Sequence, residues 1–116
     1  MNREEVLACY ARAVASHDGI KIKGAKSAYT AINGNMFSFV DDINRLCLRF
    51  SEPRKAELNQ MFETNDVIQY GAVMRGYVAI PPEITGDDVA IQELFVESLD
   101  FARSLKPKAT KGKSRL

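Results

Sequence analysis

Hydrophobic positions along the chain change period several times, and each change marks an element. In "MNREEVLACYARAV", Val6, Tyr10, Ala13 and Val14 recur at helical spacing, which predicts a first helix with one apolar stripe. Asn2 with Glu5 three residues on reads as a capping box, and Gly19 in "SHDG" supplies a left-handed position beyond the last turn. "IKIKGAKSAYTAI" alternates in places, and Gly24 interrupts it as a bulge or a close backbone approach. "NGN" at Asn33–Asn35 is the strongest hairpin signal, because Asn-Gly readily takes the positive φ angles of a tight turn. In "MFSFV", strict alternation puts Phe37 and Phe39 on one face and Met36, Ser38 and Val40 on the other. After the turn "DDIN", Leu46, Leu48 and Phe50 point one way and Arg45, Cys47 and Arg49 the other. These runs predict a three-stranded antiparallel meander buried on one side.

Ser51 then caps a short helix to about Phe62, with Pro53 tolerated in its first turn and Leu58, Met61 and Phe62 as its buried stripe. "VIQY" and "RGYVAI" read as two further strands joined through Gly71–Met74, and "PPE" stops the second. Thr85 with Asp88 is expected to cap a final helix whose apolar face is Ile91, Leu94, Phe95, Leu99 and Ala102. The order α-β-β-β-α-β-β-α, with sequential antiparallel strands and helices mainly on one face, is an α+β fold. Residues 1–105 form a single domain. Residues 106–116, "KPKATKGKSRL", lack periodicity and bulky apolar residues apart from the last and are expected to form a disordered basic tail.

Charge sharpens that division. Up to residue 102 there are ten basic and fifteen acidic side chains, a net of −5, whereas residues 103–116 carry six basic groups and no acid. A length of 116 residues fits one domain, and no apolar run approaches a membrane span. The mixed charges of the N-terminus do not make a signal peptide, and Cys9 and Cys47 have neither CxxC spacing nor secretory context. Both read as reduced thiols, and the expected location is the cytoplasm.

Few chemistries survive this inventory. His17 is the only histidine, which leaves too few ligands for a zinc site, and its place before Gly19 reads as a solvated helix C-terminal cap. Asp41–Asp42 and Asp87–Asp88 fall at a turn and a helix start, where acids serve conformation. Arg45 and Arg49 beside Cys47 would favour a thiolate, but without a placed histidine base the better reading is a small residue filling space. "GIKIKG" and "KGKS" both lack the context of a phosphate loop. Tyr29, Phe37, Phe39 and Tyr77 are the types that stack on RNA bases, yet the alternation favours core packing for the two phenylalanines. No cofactor, metal or catalytic residue is expected, and the chain reads as a non-enzyme.

Four segments together carry a resemblance: "KSAYTAINGNMFSFVD", "LCLRFSE" before a short helix, "YGAVMRGYVAIPPE" and the closing "FARSLKPK". From about Lys23 to Lys108 the chain resembles the TfoX/Sxy N-terminal domain family. The resemblance implies an α+β domain with a central antiparallel sheet and supplies no catalytic residues. The family's founding members are bacterial regulators of natural competence that act with other transcription factors and lack a DNA-reading motif of their own. Those regulators carry a second, C-terminal domain where this chain has only its basic tail. The family also often has a glycine-rich segment near the first strand, where this sequence reads "IKGAK".

The function this implies is a regulatory interaction module with a protein partner. The expected partner surface is the polar side of the meander: Tyr29, Arg45 and Arg49, with Arg75 and Tyr77 as further members. Two alternatives stand beside it. Lys106, Lys108, Lys111, Lys113 and Arg115 would contact phosphates in sequence-independent nucleic-acid association. A small-molecule site is the other. No membrane association is expected, and an exposed strand edge would allow a homodimer as readily as a monomer.

Overall fold

A computed structural model describes residues 1–24 and 27–108. The elements run α1 (Arg3–Ala15), β1 (Tyr29–Ile32), β2 (Asn35–Val40), β3 (Leu46–Arg49), α2 (Glu52–Phe62), β4 (Ile68–Gln69), β5 (Ala72–Val73), β6 (Tyr77–Ile80), α3 (Pro82–Thr85) and α4 (Asp88–Ser104). The fold is α+β. Strands β1-β2-β3-β6 form one antiparallel sheet in that order, and β4-β5 form a separate two-stranded hairpin. The expected pair of later strands therefore divides differently: "VIQY" turns back on Ala72–Val73, and only Tyr77–Ile80 joins the sheet.

Local signals explain most boundaries. The side chain of Asn2 accepts the Glu5 amide at 2.8 Å while Glu5 accepts the Asn2 amide at 2.9 Å, closing the capping box of α1. Val6, Tyr10, Ala13 and Val14 are all buried, as their spacing requires. Asn33 and Gly34 turn between β1 and β2 with φ of 53° and 79°. Gly24, at φ 94°, approaches the Ser27 carbonyl so closely that no Cβ would fit. Ser51 caps α2 through the Arg54 amide. Met61, expected in the buried stripe of this helix, is 65% exposed; Leu58 is buried and Phe62 packs at the margin of the core. The final helix is capped by Asp87, whose carboxylate accepts the Val89 and Ala90 amides, and not by Thr85. Thr85 instead ends the extra short helix α3 and bonds the Ile80 carbonyl.

One side of the sheet faces the helices. Phe37, Val40, Leu46, Leu48, Phe50, Val78 and Ile80 pack there against Tyr10 and Val14 of α1, Leu58 of α2, and Ile91, Phe95 and Leu99 of α4. The expected alternation fails in β2. Ala31 pairs with Met36 and Thr30 with Ser38, so Phe37 is an extra residue in the ladder. This bulge turns Phe37 and Ser38 toward the helices and leaves Phe39 on the opposite side, separating two phenylalanines that strict period 2 would keep together. Ser98 of α4 places its hydroxyl 3.2 Å from the bulged Phe37 carbonyl and 2.7 Å from that of Arg49. Tyr10, Ser38 and Thr30 form a buried hydroxyl chain beside it, with Tyr10 Oη 2.6 Å from Ser38 Oγ.

Contrary to the expected half-buried meander, the opposite side of the sheet is covered as well. Phe39, Cys47, Tyr77 and Ala79 are covered by Val67 and by the margin of Tyr29, Met36 and Met74. The residues that lead into and out of the β4-β5 hairpin supply this second layer.

Candidate functional site

The outer face begins at β3. Leu46, Leu48 and Phe50 serve the core, so Cys47 and the flanking arginines must face outward, as their positions dictate. Asp41 organises one end. It is buried, and its Oδ1 accepts the Ile43 and Arg45 amides at 3.2 and 2.8 Å, while Oδ2 accepts Arg45 Nε at 2.7 Å. The acid thus serves the turn, and Arg45 is committed to it, although the guanidinium remains about one third exposed.

Cys47 lies under this pair with no exposed surface, its sulfur 3.9 Å from Asp41 Oδ2. Burial pushes its thiol pKa well up, the Asp41 charge adds to that, and Arg45 opposes it only in part. Cys47 is packed within the outer apolar layer with Phe39, Tyr77 and Ala79. Cys9 is buried too, and both thiols are free. Among the described residues no group of three His, Cys, Asp or Glu side chains could hold a metal ion. His17 is not a solvated cap: its Nε2 lies 2.6 Å from Gln92 Oε1 and its ring is 5.3 Å from that of Phe95, fastening the end of α1 to α4.

The remaining expected surface residues separate into two groups. Arg49 and Tyr77 converge on Met36, and Tyr29 packs at the margin of the same apolar layer. Tyr77 donates its hydroxyl to the Met36 carbonyl at 2.9 Å, and Arg49 reaches the same carbonyl at 3.4 Å. Tyr77 is buried and stacks edge-on against Phe39 at 5.0 Å, so it is not a surface residue, and burial also raises its phenol pKa. With Phe37 and Phe39 buried as well, these aromatics are unavailable for base stacking. Arg75 stands apart, exposed in an open cleft of about 580 Å³ with Val73, Glu52 and the Lys55–Asp66 ion pair, which closes at 2.9 Å.

Two features of this face escape a sequence reading. The first is the hairpin itself. Tyr70 and Gly71 make its two-residue turn with φ of 54° and 79°, and Tyr70 is 80% exposed. The cross-strand partners Ile68 and Val73 are 49% and 50% exposed. Three large apolar side chains therefore project from one short hairpin, beside Arg75. The second is a cavity of about 180 Å³ beneath it, walled by Tyr29, Met36 and Phe39 of the sheet and by Gln69, Tyr70 and Met74 of the hairpin, with Ser27 at its rim. Gln69 is 7% exposed, and its Oε1 is buried without a hydrogen-bond partner among the described residues. The one available signal was a glutamine between apolar neighbours in "VIQY".

The root of the tail is also placed. The Lys108 amide donates to the Asn33 carbonyl at 2.8 Å, and Asn35 Nδ2 donates to the Lys106 carbonyl at 3.0 Å. Residues 106–108 are thus held against the β1-β2 turn with exposed lysine side chains, and are not part of a disordered tail. Lys111, Lys113 and Arg115 lie outside the described residues. Among the described residues no helix is long and apolar enough to cross a membrane. Comparison with protein-family models gives no match, and comparison with curated proteins gives none.

Proposed function

We propose that the chain is a non-enzymatic, regulatory interaction module of the cytoplasm, of the kind implied by its resemblance to the TfoX/Sxy N-terminal domains. Its contact element is the β4-β5 hairpin. The observation that carries this reading is the exposure of Ile68, Tyr70 and Val73 on a six-residue unit. Soluble domains seldom concentrate large apolar side chains in this way unless a partner covers them. The charged groups beside them, Arg75 and Glu52 in the adjoining cleft, have the character of a polar rim around an apolar centre. Of the five surface residues expected from sequence, Arg75 adjoins this patch. Arg45 and Arg49 have structural bonds to serve, and Tyr77 is buried.

The test is affinity capture from a bacterial lysate with the full chain and with an Ile68→Ser/Val73→Ser variant. Both substitutions lie on half-exposed positions and should shift stability by about 1 kcal/mol or less, which thermal unfolding checks. A protein recovered by the native chain and lost at least about tenfold by the variant supports the hairpin as the contact. Equal recovery of the same proteins by both chains would remove the hairpin from the reading.

A further inference from the structure

The cavity under the hairpin is distinct from the hairpin's exposed side, and it has the character of a ligand site. Its size comes first. An apolar cavity of about 150 Å³ accommodates a benzene ring, and this one measures about 180 Å³. One six-membered ring with a short substituent fills it. The walls come next: Tyr29 and Phe39 present aromatic surface, and Met36 and Met74 present thioethers, which adapt in shape and favour contact with aromatic rings. Among the described residues no charged side chain lines it, so a charged guest would lose its hydration without compensation from them.

Gln69 then supplies direction. Its side chain is buried while Ile68, its neighbour in β4, is half-exposed, the alternation that a strand gives. The result is a carbonyl oxygen removed from water with no donor among the described residues. Such an acceptor is costly to leave unmade, and a hydroxyl or N–H on the guest would satisfy it. Access is provided by the cover itself. Each hairpin strand has two ladder residues, and the Tyr70 hydroxyl meets Ser27 Oγ across the rim at 3.2 Å. The base of the hairpin is seated on the sheet through Val67 and Met74, so movement of the tip at Tyr70 is what would bring a guest to Gln69.

We propose that this cavity binds a small neutral aromatic molecule carrying one hydrogen-bond donor, of the phenol class. The ring lies among Met36, Met74 and Phe39, and the donor is given to Gln69 Oε1. This goes beyond the interaction-module reading and does not depend on it: Tyr70 belongs to both features, but Ile68 and Val73 do not line the cavity, and phenol binding is read without any protein partner.

The four methionines allow a direct test on the full chain. Met36 and Met74 line the cavity, whereas Met1 and Met61 are exposed elsewhere and serve as internal controls. With methyl-labelled methionine, titration with phenol should shift the Met36 and Met74 signals saturably, with half-saturation near or below about 1 mM. Toluene matches phenol in shape, anisole keeps its oxygen and adds one methyl group, and neither has a donor. They should bind at least about fivefold more weakly, the expected loss for one unmade hydrogen bond to a buried acceptor. Gln69→Leu should abolish the preference for phenol while retaining toluene binding. The phenol–anisole comparison needs no variant, so it decides the question even if Gln69→Leu fails to fold. Equal affinity of native protein for phenol, anisole and toluene would overturn the assignment of Gln69. Absence of shifts confined to Met36 and Met74 up to about 10 mM phenol would overturn the site.

Discussion

The two faces of one four-stranded sheet are built on different terms. Toward the helices, Phe37, Leu46, Leu48, Phe50 and Phe95 are almost wholly buried, and the hydroxyls among them are bonded to one another or to carbonyls. Toward the hairpin, Phe39, Cys47 and Tyr77 are equally buried, but the cover is thin: two strands of two residues, a cavity, a Gln69 oxygen without a partner among the described residues and three exposed apolar side chains. Burial alone does not distinguish these layers. What distinguishes them is how completely each cover is packed and how many of its polar groups are satisfied. The closed side stabilises the fold, and the loosely covered side is where both proposals above put their contacts.

Truncation exposes the largest expected difference. Phe37→Ala should cost about 3–5 kcal/mol, because the bulged ring is fully buried and sits against Phe95 at 5.5 Å. Met74→Ala, beside an existing cavity and half-exposed, should cost about 1 kcal/mol or less. Denaturant unfolding of the two variants measures both. A Met74→Ala penalty equal to that of Phe37→Ala would make the outer layer a second core.

Alkali should act next in size, and from the inside. Burial pushes the Tyr10 phenol from its ordinary value of 10.0 up to about 12, outweighing the hydrogen bonds from Ser38 and Thr30. The unfolded chain then loses this proton before the folded chain does. The stability due to Tyr10 is therefore fully present below pH 10 and is lost progressively as pH rises toward 12, by up to about 2–3 kcal/mol. Tyr77 and Cys47, both raised chiefly by burial, act in the same direction. Melting temperature followed through that range should fall more steeply for the native chain than for Tyr10→Phe. Parallel curves would show that Tyr10 does not control the loss.

Much of the closed side could be read along the chain. Capping at Asn2 and Ser51, the Asn33-Gly34 turn and the helical stripes of α1 and α4 are local, so spacing and residue type suffice. The turn role of Asp41 was legible for the same reason. The bulge at Phe37 was not, since no glycine marks it and only the register with Thr30 and Ala31 reveals the extra residue. The cap of α4 was expected at Thr85 because Thr85 and Asp87 are both good capping residues two positions apart; α3 takes up Thr85 as its last residue and leaves Asp87 to cap α4. The outer face was least legible. Tyr70 adopts a left-handed turn conformation uncommon for its type, and strands of two residues are too short for alternation to appear. The interaction surface expected on Arg45 and Arg49 rested on alternation within β3, which was correct. It could not anticipate that Asp41 and the Met36 carbonyl would engage both arginines.

The most direct test of the difference between the two faces is native-state hydrogen exchange, residue by residue. The Met74 amide, bonded to the Val67 carbonyl at 2.8 Å, reports the hairpin, and the β2-β3 ladder around Leu48 reports the core. The account predicts that the hairpin amide exchanges through a local opening at least about 2 kcal/mol easier than the global unfolding that releases Leu48. Exchange of both only at the global free energy would contradict it, because the outer cover would then be as firmly held as the helices.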